Sequence, residues 1–180
     1  MYEDLTCTIC DPHDQLVDAA RSAVLLDILV HGSDSDQQML HWYADDKWRK
    51  NQFHDACLIQ DKDGAFVALC GNRLMPDDSM KILCHLYTIK RYRNRYQSLH
   101  QVLMIPRLVQ QAKDMCLQGL WYSIHTFDQR HKRFSESQKR LLKPGAVARD
   151  HMPYWDRFIF TETIVYNNTE QDKFYMSLID

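Results

Sequence analysis

The sequence predicts a mixed α/β fold of the α+β kind, with one central, mostly antiparallel sheet flanked by helices. Three observations predict it. Three consecutive strand-like runs joined by turn residues occupy the middle of the chain, segments of helical periodicity lie before and after them, and two more strand-like runs close the chain. At 180 residues the chain is long enough for a sizeable core, so we expect a single domain spanning 1–180.

The first quarter of the chain predicts a strand followed by two helices. The alternation in "LTCTI" at 5–9 is typical of a strand. The segment "HDQLVDAARSAVLLDILV" places apolar residues at helical spacing, which indicates an amphipathic helix. The segment "GSDSDQQMLHWYADDKWRKN" then offers Ser and Asp as N-caps for a second, more polar helix.

The middle of the chain predicts three antiparallel strands in succession. The runs "HDACLIQ" and "AFVALCGNRLM" flank "DKDG", and Asp63-Gly64 is a strong hairpin signal because such turns need positive φ. The turn residues "PDDS" follow, and "MKILCHLYTI" is the third strand.

The remainder alternates helices and strands. We expect a helix over 97–118 that Gly119 ends in a left-handed cap, although Pro106 should kink it. A strand "LWYSIHTF" follows, then a short helix "SESQKRLL" capped by Ser135 or Ser137, then a closing antiparallel pair. The strand, helix and strand around 97–118 should form a right-handed crossover between neighbouring parallel strands.

The charge of the chain is unevenly distributed. The net charge is −2, with −9 in residues 1–80, +10 in 81–150 and −3 in 151–180. This predicts one region that attracts anions, whereas a protein that coats nucleic acid would usually be basic throughout, so nucleic acid is an unlikely partner. We expect no membrane span, because no apolar run reaches about 18 residues, and the acidic N-terminus favours a cytoplasmic location.

The six cysteines predict buried, reduced thiols rather than a metal site. Cys7 and Cys10 lie three apart on a strand and therefore point to opposite faces. The other four stand singly in apolar runs, where a free thiol behaves as a small hydrophobe. None of the nine histidines forms a zinc-binding motif, so we expect no metal.

A basic hinge lies between the third middle strand and the next helix. We use this name for residues 89–98, which contain four cations and two tyrosines: Lys90, Arg91, Arg93, Arg95, Tyr92 and Tyr96. Cations at a helix N-terminus favour a bound anion, such as a phosphate. Two alternatives are a solvated basic turn and a nucleic-acid contact in which tyrosines stack on bases.

With these elements in this order, the chain resembles the GNAT superfamily of acyl-CoA-dependent N-acyltransferases over essentially its whole length. In that family the corresponding loop has the form Arg/Gln-x-x-Gly-x-Gly/Ala and binds the pyrophosphate of coenzyme A. Here the segment reads "YRNRYQS", where Arg93 matches the leading position while Tyr96 and Ser98 replace glycines. The resemblance implies acetyl-CoA or another acyl-CoA as donor, bound by Arg93, Asn94, Arg95, Tyr96, Gln97 and Ser98.

The resemblance also guides the choice of catalytic residues. The family usually deprotonates its amine near the strand before this loop, and that strand has no acid here, so His85 is the candidate base and Tyr87 the second candidate. The alternatives are a hydrogen-bonded sheet histidine and a packing tyrosine. After the next strand, Asp128 falls near a family Asn, and Phe134 and Ser135 fall where a general-acid Tyr is expected.

A second basic cluster, "RHKR" at 130–133, could bracket the phosphates of coenzyme A together with the hinge, and Arg130 is our candidate there. A solvated helix face is the alternative.

Three classes of function follow. The first is an N-acyltransferase for a small-molecule amine, whose donor is an acyl-CoA or an acyl group on an acidic carrier protein. The second is a catalytically silent GNAT-like module that binds a ligand or partner. Nucleic-acid binding through the basic hinge is the third. Whether the chain is an enzyme, and its oligomeric state, stay open at this point.

Overall fold

A computed structural model describes residues 2–93, 95, 98–145, 152–166 and 168–179. The predicted site residues Asn94, Tyr96 and Gln97 lie outside the described residues. The chain forms two compact units. The first unit comprises Met1–Leu74 and Ile82–Arg107, and the second comprises Met75–Lys81 and Leu108–Asp180.

The first unit contains the predicted hairpins. Its strands are β1 (Leu5–Cys10), β2 (Asp55–Asp61), β3 (Phe66–Leu74) and most of β4 (Ser79–Thr88). The β2–β3 turn follows the prediction, with Gly64 at φ +79° and Asp61 accepting hydrogen bonds from the turn amides. Helix α1 (Gln15–His31) begins at an Asp14 side-chain cap, as its helical spacing indicated.

The second predicted helix is wrong in one respect, because it divides into α2 (Asp34–Gln37), α3 (Leu40–Tyr43) and α4 (Asp45–Lys50). Ser33 caps α2 as expected, in a reciprocal capping box. Tyr43 and Trp48 are both almost fully buried. Five residues apart, they would lie about 140° apart on one helix. The extended backbone of Ala44 breaks the helix between them and lets both rings enter the core.

The helix predicted over 97–118 is shorter and begins as a π-helix. It comprises the π turn His100–Met104 and then α6 (Ile105–Asp114), after a short α5 (Lys90–Arg93) within the basic hinge. A proline ring clashes with the carbonyl four residues earlier in a regular α-helix. The wider π turn directly before Pro106 accommodates that ring, so the irregularity predicted at Pro106 is this π turn.

Gly119 does not end the helix, contrary to the prediction. The left-handed residue is Cys116 at φ +55°, and the Leu117 amide donates to the carbonyl of Ala112 in a Schellman arrangement. This position exposes the Cys116 side chain, so the expectation of six buried thiols is wrong there. Gly119 opens a strand instead, and the Tyr175 ring and hydroxyl occupy the space that a Cβ would take.

The other five thiols are less exposed than that of Cys116. Cys57, Cys70 and Cys84 are buried, while Cys7 and Cys10 are half-buried. The nearest thiol to Cys7 is on the neighbouring strand, where Cys57 Sγ lies 3.5 Å from Cys7 Sγ. That contact and burial raise the pKa of Cys7 well above its ordinary value, so the thiolate is disfavoured.

The second unit contains the remaining strands, which are β5 (Gly119–His125), β6 (Ile159–Tyr166) and β7 (Thr169–Ser177). The predicted "SESQKRLL" helix starts earlier than expected, as α7 (Gln129–Leu141), and Asp128 caps it in place of Ser135 or Ser137. A 3₁₀ turn at Trp155–Arg157 precedes β6.

The strands follow the order β1-β2-β3-β4-β5-β7-β6, which confirms the predicted fold class of a mostly antiparallel sheet with flanking helices. The parallel pair is also confirmed, since Ser79–Lys81 of β4 pair with Gly119–Trp121 of β5. Within the described residues, no helix has the length and apolar character needed to cross a membrane.

Replacing Gly119 with Ala tests the contact with Tyr175. The new methyl group would overlap the Tyr175 ring, so we expect the free energy of unfolding to fall by about 1–3 kcal/mol in urea denaturation. Gly145→Ala is the control, because among the described residues no atom lies within 4 Å of its Cβ position, and its positive φ is the strain expected there. A Gly119→Ala loss no greater than the Gly145→Ala loss would contradict the packing argument.

Candidate functional site

Strand β4 is irregular where it carries the candidate catalytic residues. Leu83 has φ +57° and His85 has φ +54°, a left-handed conformation that side chains other than glycine adopt infrequently. The amide of Leu83 donates to Asn72 Oδ1 on β3 at 3.2 Å, so a side chain replaces a regular ladder partner. Strained backbone of this kind occurs preferentially at functional sites.

The His85 ring is held by aromatic contacts. It stacks on Trp42 with the centroids 4.2 Å apart and the planes 18° from parallel, and Phe53 approaches at 6.0 Å. The hydroxyl of Tyr43 donates to the His85 carbonyl oxygen, which fixes the backbone as well. His85 is half-buried. The imidazole is thus orientated by Trp42 of α3 and by Phe53, while part of His85 stays accessible to solvent.

Tyr87 is more enclosed than His85. Only 3% of it is exposed, and its hydroxyl donates to Asp27 Oδ2 at 3.0 Å. Burial, together with the Asp27 carboxylate, raises the pKa of Tyr87 well above its ordinary value, and Arg93 opposes this only in part. The phenol therefore stays protonated and donates its hydrogen bond to Asp27. Such a group suits a positioning role better than proton transfer.

Arg93 binds a carboxylate of its own chain. Its two terminal nitrogens donate to the two Asp36 oxygens, both at 3.0 Å, and its Nε donates to the Thr88 carbonyl at 2.8 Å. The guanidinium also lies 4.7 Å from the centroid of the Tyr87 ring. Burial alone would raise the pKa of Asp36, but hydrogen bonds from Arg93 and Ser33 hold it below its usual value.

Other hinge residues are bound to the acidic N-terminal part in the same manner. The Lys90 amide donates to Asp27 at 2.9 Å. The Tyr92 hydroxyl donates to Asp61 at 2.6 Å and accepts from Arg91 at 3.0 Å. The basic hinge therefore contacts carboxylates of α1, α2 and β2.

Arg95 and Ser98 are the remaining described residues of the predicted donor loop. Arg95 is exposed, and Ser98 is half-buried with φ +56°. The Ser98 carbonyl accepts from the amides of Gln101 and Val102, which starts the π-helix. Ser98 thus takes a left-handed conformation at a position where the resemblance calls for glycine, and Arg95, three residues earlier, is exposed.

In the second unit, the structure assigns Asp128 to capping. Its carboxylate accepts from the His131 amide and from the His131 ring nitrogen Nδ1, each at 2.8 Å. Arg130 lies exposed in the first turn of α7. The two residues that the resemblance places at the donor thus differ, because Asp128 has a local structural partner and Arg130 projects into solvent.

A buried polar cluster attaches α7 to β6 and β7, and sequence reasoning missed it. Asp172 accepts from Ser135 at 2.6 Å, Thr163 at 2.7 Å and Lys139 at 2.9 Å. Ser135 therefore donates to a carboxylate at the position where the resemblance calls for a phenol. The signal in the sequence was weak, because the four residues come from three separate segments.

The solvent-facing side of α7 is strongly basic. A shallow cavity of about 420 Å³ lies along it, lined by Gln129, Lys132, Arg133, Glu136 and Arg140. With three cations and one carboxylate, this side of the helix favours anionic or acidic partners.

His125, at the end of β5, is a second histidine of the sheet that sequence reasoning did not single out. Burial, followed by the electrostatic effect of Lys81 and the His131 side chain, lowers its pKa to about 4. Its ring is therefore neutral at neutral pH.

Comparison with known proteins gives the class of the fold. No protein-family model and no curated protein sequence matches the chain. Solved structures do match it. An acetyltransferase of the GNAT family from Staphylococcus aureus Mu50 is 15% identical, with a TM-score of 0.53 over 96% of this chain and 99% of that one. A spermidine N-acetyltransferase from Vibrio cholerae is 8% identical, with a TM-score of 0.55 over 97% and 94%. These likenesses confirm the predicted GNAT fold.

The Arg93–Asp36 pair generates a stability prediction. Asp36→Asn would leave the guanidinium without its charged partner, so we expect the free energy of unfolding at pH 7 to fall by about 2 kcal/mol. Asp34→Asn is the control, since Asp34 is exposed on the same helix and should cost less than about 1 kcal/mol. Equal losses in urea denaturation would show that the pair has no special role.

His125 generates a pH prediction. Because its folded pKa, about 4, lies below its ordinary value of 6.5, the unfolded chain takes up a proton first on acidification. The stability contributed by the neutral ring is therefore complete above pH 6.5 and is lost as the pH falls towards 4. His125→Gln should weaken the pH dependence of unfolding between pH 7 and 4.5, and an unchanged dependence would contradict the assignment.

Proposed function

We propose that this chain is an N-acyltransferase that moves an acyl group from an acyl-CoA to a small-molecule amine. The observation that carries the proposal is His85, an orientated, half-buried imidazole at a left-handed position of β4 in a chain with the fold of N-acetyltransferases. The fold makes acyl transfer the first activity to consider, and the imidazole is a group that can accept the proton of the amine.

His85 is the proton acceptor in this proposal. An alkylamine is protonated at neutral pH and must lose a proton before its nitrogen can attack a carbonyl carbon. A neutral imidazole can take that proton, and the stacking on Trp42 holds the ring ready to do so. The thioester, when bound, would supply the activated acyl group: the new C–N bond would replace its C–S bond, and the leaving thiolate would take the proton that the attacking nitrogen still has to lose. Tyr87 and Arg93 position the end of β4 through Asp27 and Asp36.

The donor-binding residues of this proposal differ from those that the resemblance implies in the role of Arg93. Arg93 does not fit a pyrophosphate, because both of its terminal nitrogens are bound to Asp36. Arg95 and Ser98 fit an anionic donor better, since one is an exposed cation and the other takes the left-handed conformation of a phosphate-binding loop. Asn94, Tyr96, Gln97 and Arg130 stay in the proposal as further donor contacts.

A catalytically silent binding module is the second candidate. The bonding of Tyr87, Arg93 and Ser135 to carboxylates of the same chain favours it, because a candidate catalytic residue, a candidate donor contact and the residue at the family's Tyr position are already engaged. An acyl group delivered by an acidic carrier protein is the alternative donor within the enzyme hypothesis, and the basic side of α7 favours that variant.

Turnover by the wild type and a histidine variant tests the proposal. We expect thiol release from acetyl-CoA or a longer acyl-CoA in the presence of a panel of alkyl di- and polyamines. His85→Gln should lower kcat by about 10²–10⁴, the usual contribution of a general base. His13→Gln, at an exposed residue outside the site, should leave kcat unchanged.

The same assay separates the candidates. Binding of acyl-CoA in calorimetry with no thiol release for any amine would identify a silent module. Thiol release only from an acyl carrier protein would identify the alternative donor. Equal rates for wild type and His85→Gln would remove His85 from the mechanism.

A further inference from the structure

We propose that Cys7 and Cys57 form a binding site for a soft monovalent metal ion, Cu(I), which both sulfur atoms hold as thiolates. The spacing of Cys7 and Cys10 argued against a metal, but the structure brings Cys7 together with a thiol 50 residues away instead. The site is independent of the proposed acyl transfer, because neither His85 nor any proposed donor contact belongs to it.

Sulfur atoms gather across three neighbouring strands of the sheet. Cys7 Sγ of β1 lies 3.5 Å from Cys57 Sγ of β2. Cys57 lies directly opposite Cys70 of β3, so those two side chains share one face of the sheet. Cys70 Sγ in turn lies 3.9 Å from Met104 Sδ, which belongs to the π turn. Three thiols and one thioether thus lie side by side across β1, β2, β3 and the π turn.

The chemistry of these ligands selects the metal. Thiolate and thioether sulfur are soft ligands that favour Cu(I), whereas Mg²⁺ and Ca²⁺ require oxygen ligands. A structural zinc site almost always has four ligands, and no group of three or more His, Cys, Asp or Glu side chains within the described residues could hold a metal ion. Cu(I) accepts two thiolates as its complete set of ligands, and Cys7 with Cys57 provides two.

The separation of the two sulfurs suits a two-coordinate ion after a small movement. A metal–thiolate bond of about 2.3 Å on each side places two sulfurs about 4.6 Å apart in a linear arrangement, and closer in a bent one. From 3.5 Å, the sulfurs of Cys7 and Cys57 therefore need to separate by about 1 Å at most. Cys57 is fully buried and Cys7 is half-buried. Cys7 is thus the side chain that can move, and an ion enters from its side.

A nearby cation offsets the charge of the complex. Two thiolates and one Cu(I) ion together carry one negative charge. Contact with Cys57 and burial raise the pKa of Cys7, whereas the positive charge of Arg107 acts on it in the opposite direction. The guanidinium of Arg107 is therefore within electrostatic reach of the Cys7 sulfur and would stabilise the anionic complex.

Binding exchanges two protons for the metal ion. Each of the two S–H bonds breaks, each sulfur forms one bond to Cu(I), and two protons pass to solvent with no change in oxidation state. The thiols of the free protein hold these protons firmly. The affinity for Cu(I) should therefore rise with pH, by up to about a hundredfold per pH unit for two released protons.

Anaerobic competition against the bicinchoninate complex of Cu(I) tests the proposal with the full chain. We expect the reduced wild type to take up one Cu(I) per chain, with a thiolate-to-copper absorption in the ultraviolet and the release of two protons. Cys7→Ser should weaken the affinity by more than about a hundredfold, because loss of even an outer-shell partner of a metal costs about 10–100-fold. A wild type that does not compete, or that binds Cu(I) without releasing two protons, would overturn the proposal.

The chain offers two matched controls. Cys10→Ser removes a half-buried thiol from the same strand, and Cys116→Ser removes the exposed thiol that follows α6. Both variants should keep the affinity of the wild type. A loss in either control as large as the loss in Cys7→Ser would show that Cu(I) binds to thiols of this chain in general, and would overturn the assignment to Cys7 and Cys57.

Thermal unfolding gives a second readout, which does not depend on copper chemistry. An ion that binds the folded chain and not the unfolded chain raises Tm. Ag(I), an ion of the same charge and softness that is stable in air, should raise the Tm of the wild type and of Cys116→Ser, each compared with its own metal-free form. It should not raise the Tm of Cys7→Ser. An unchanged wild-type Tm at a saturating concentration of Ag(I) would overturn a site formed by the fold.

Discussion

The bidentate pair between Arg93 and Asp36 is the constraint on which the arrangement of the first unit depends. It attaches the segment that follows β4 to the short helix α2, and the same guanidinium bonds the Thr88 carbonyl and covers the Tyr87 ring. A planar guanidinium can make all of these contacts at once, whereas the compact ammonium of a lysine lacks the fork that matches both carboxylate oxygens. The end of β4 is thereby fixed against α1 and α2 through Asp27 and Asp36.

The Arg93–Asp36 pair changes how the cations of the basic hinge are interpreted. Cations at a turn before a helix suggest that a phosphate binds there. In the structure, however, Arg93 binds the Asp36 carboxylate. Arg91 donates to the Tyr92 hydroxyl, which in turn donates to the Asp61 carboxylate. Stacking on Trp42 and a left-handed backbone orientate the half-buried imidazole of His85. Its stacking partner Trp42 belongs to α3 and not to the basic hinge.

The sequence predicted the strands and α1 well because their signals are local. Alternation, the Asp63-Gly64 turn and the first helical stretch each specify their element without help from distant residues. The sequence-based prediction failed where tertiary packing determines where a helix begins or ends. The break at Ala44 serves the burial of Tyr43 and Trp48, the cap at Cys116 releases Gly119 to pack against Tyr175, and α7 starts at the cap that Asp128 provides.

The site was predictable in part for the same reason. His85 and Tyr87 follow from their position on a strand, but the partners that give them different roles are 43 to 60 residues away in sequence, as Trp42 and Asp27 are. The acidic charge of residues 1–80 was the available signal for Asp27 and Asp36. Composition could indicate that such acids meet the basic hinge, while assigning the partners of each acid required the fold.

The most direct test of the central claim is the NMR signal of the Arg93 Nε–H group, assigned with Arg93→Lys and followed during titration with inorganic pyrophosphate. The account predicts a slowly exchanging signal in the free protein that pyrophosphate does not shift, because Asp36 and the Thr88 carbonyl hold the guanidinium. A signal that exchanges rapidly in the free protein and shifts on addition of pyrophosphate would contradict it. That result would return Arg93 to the donor site.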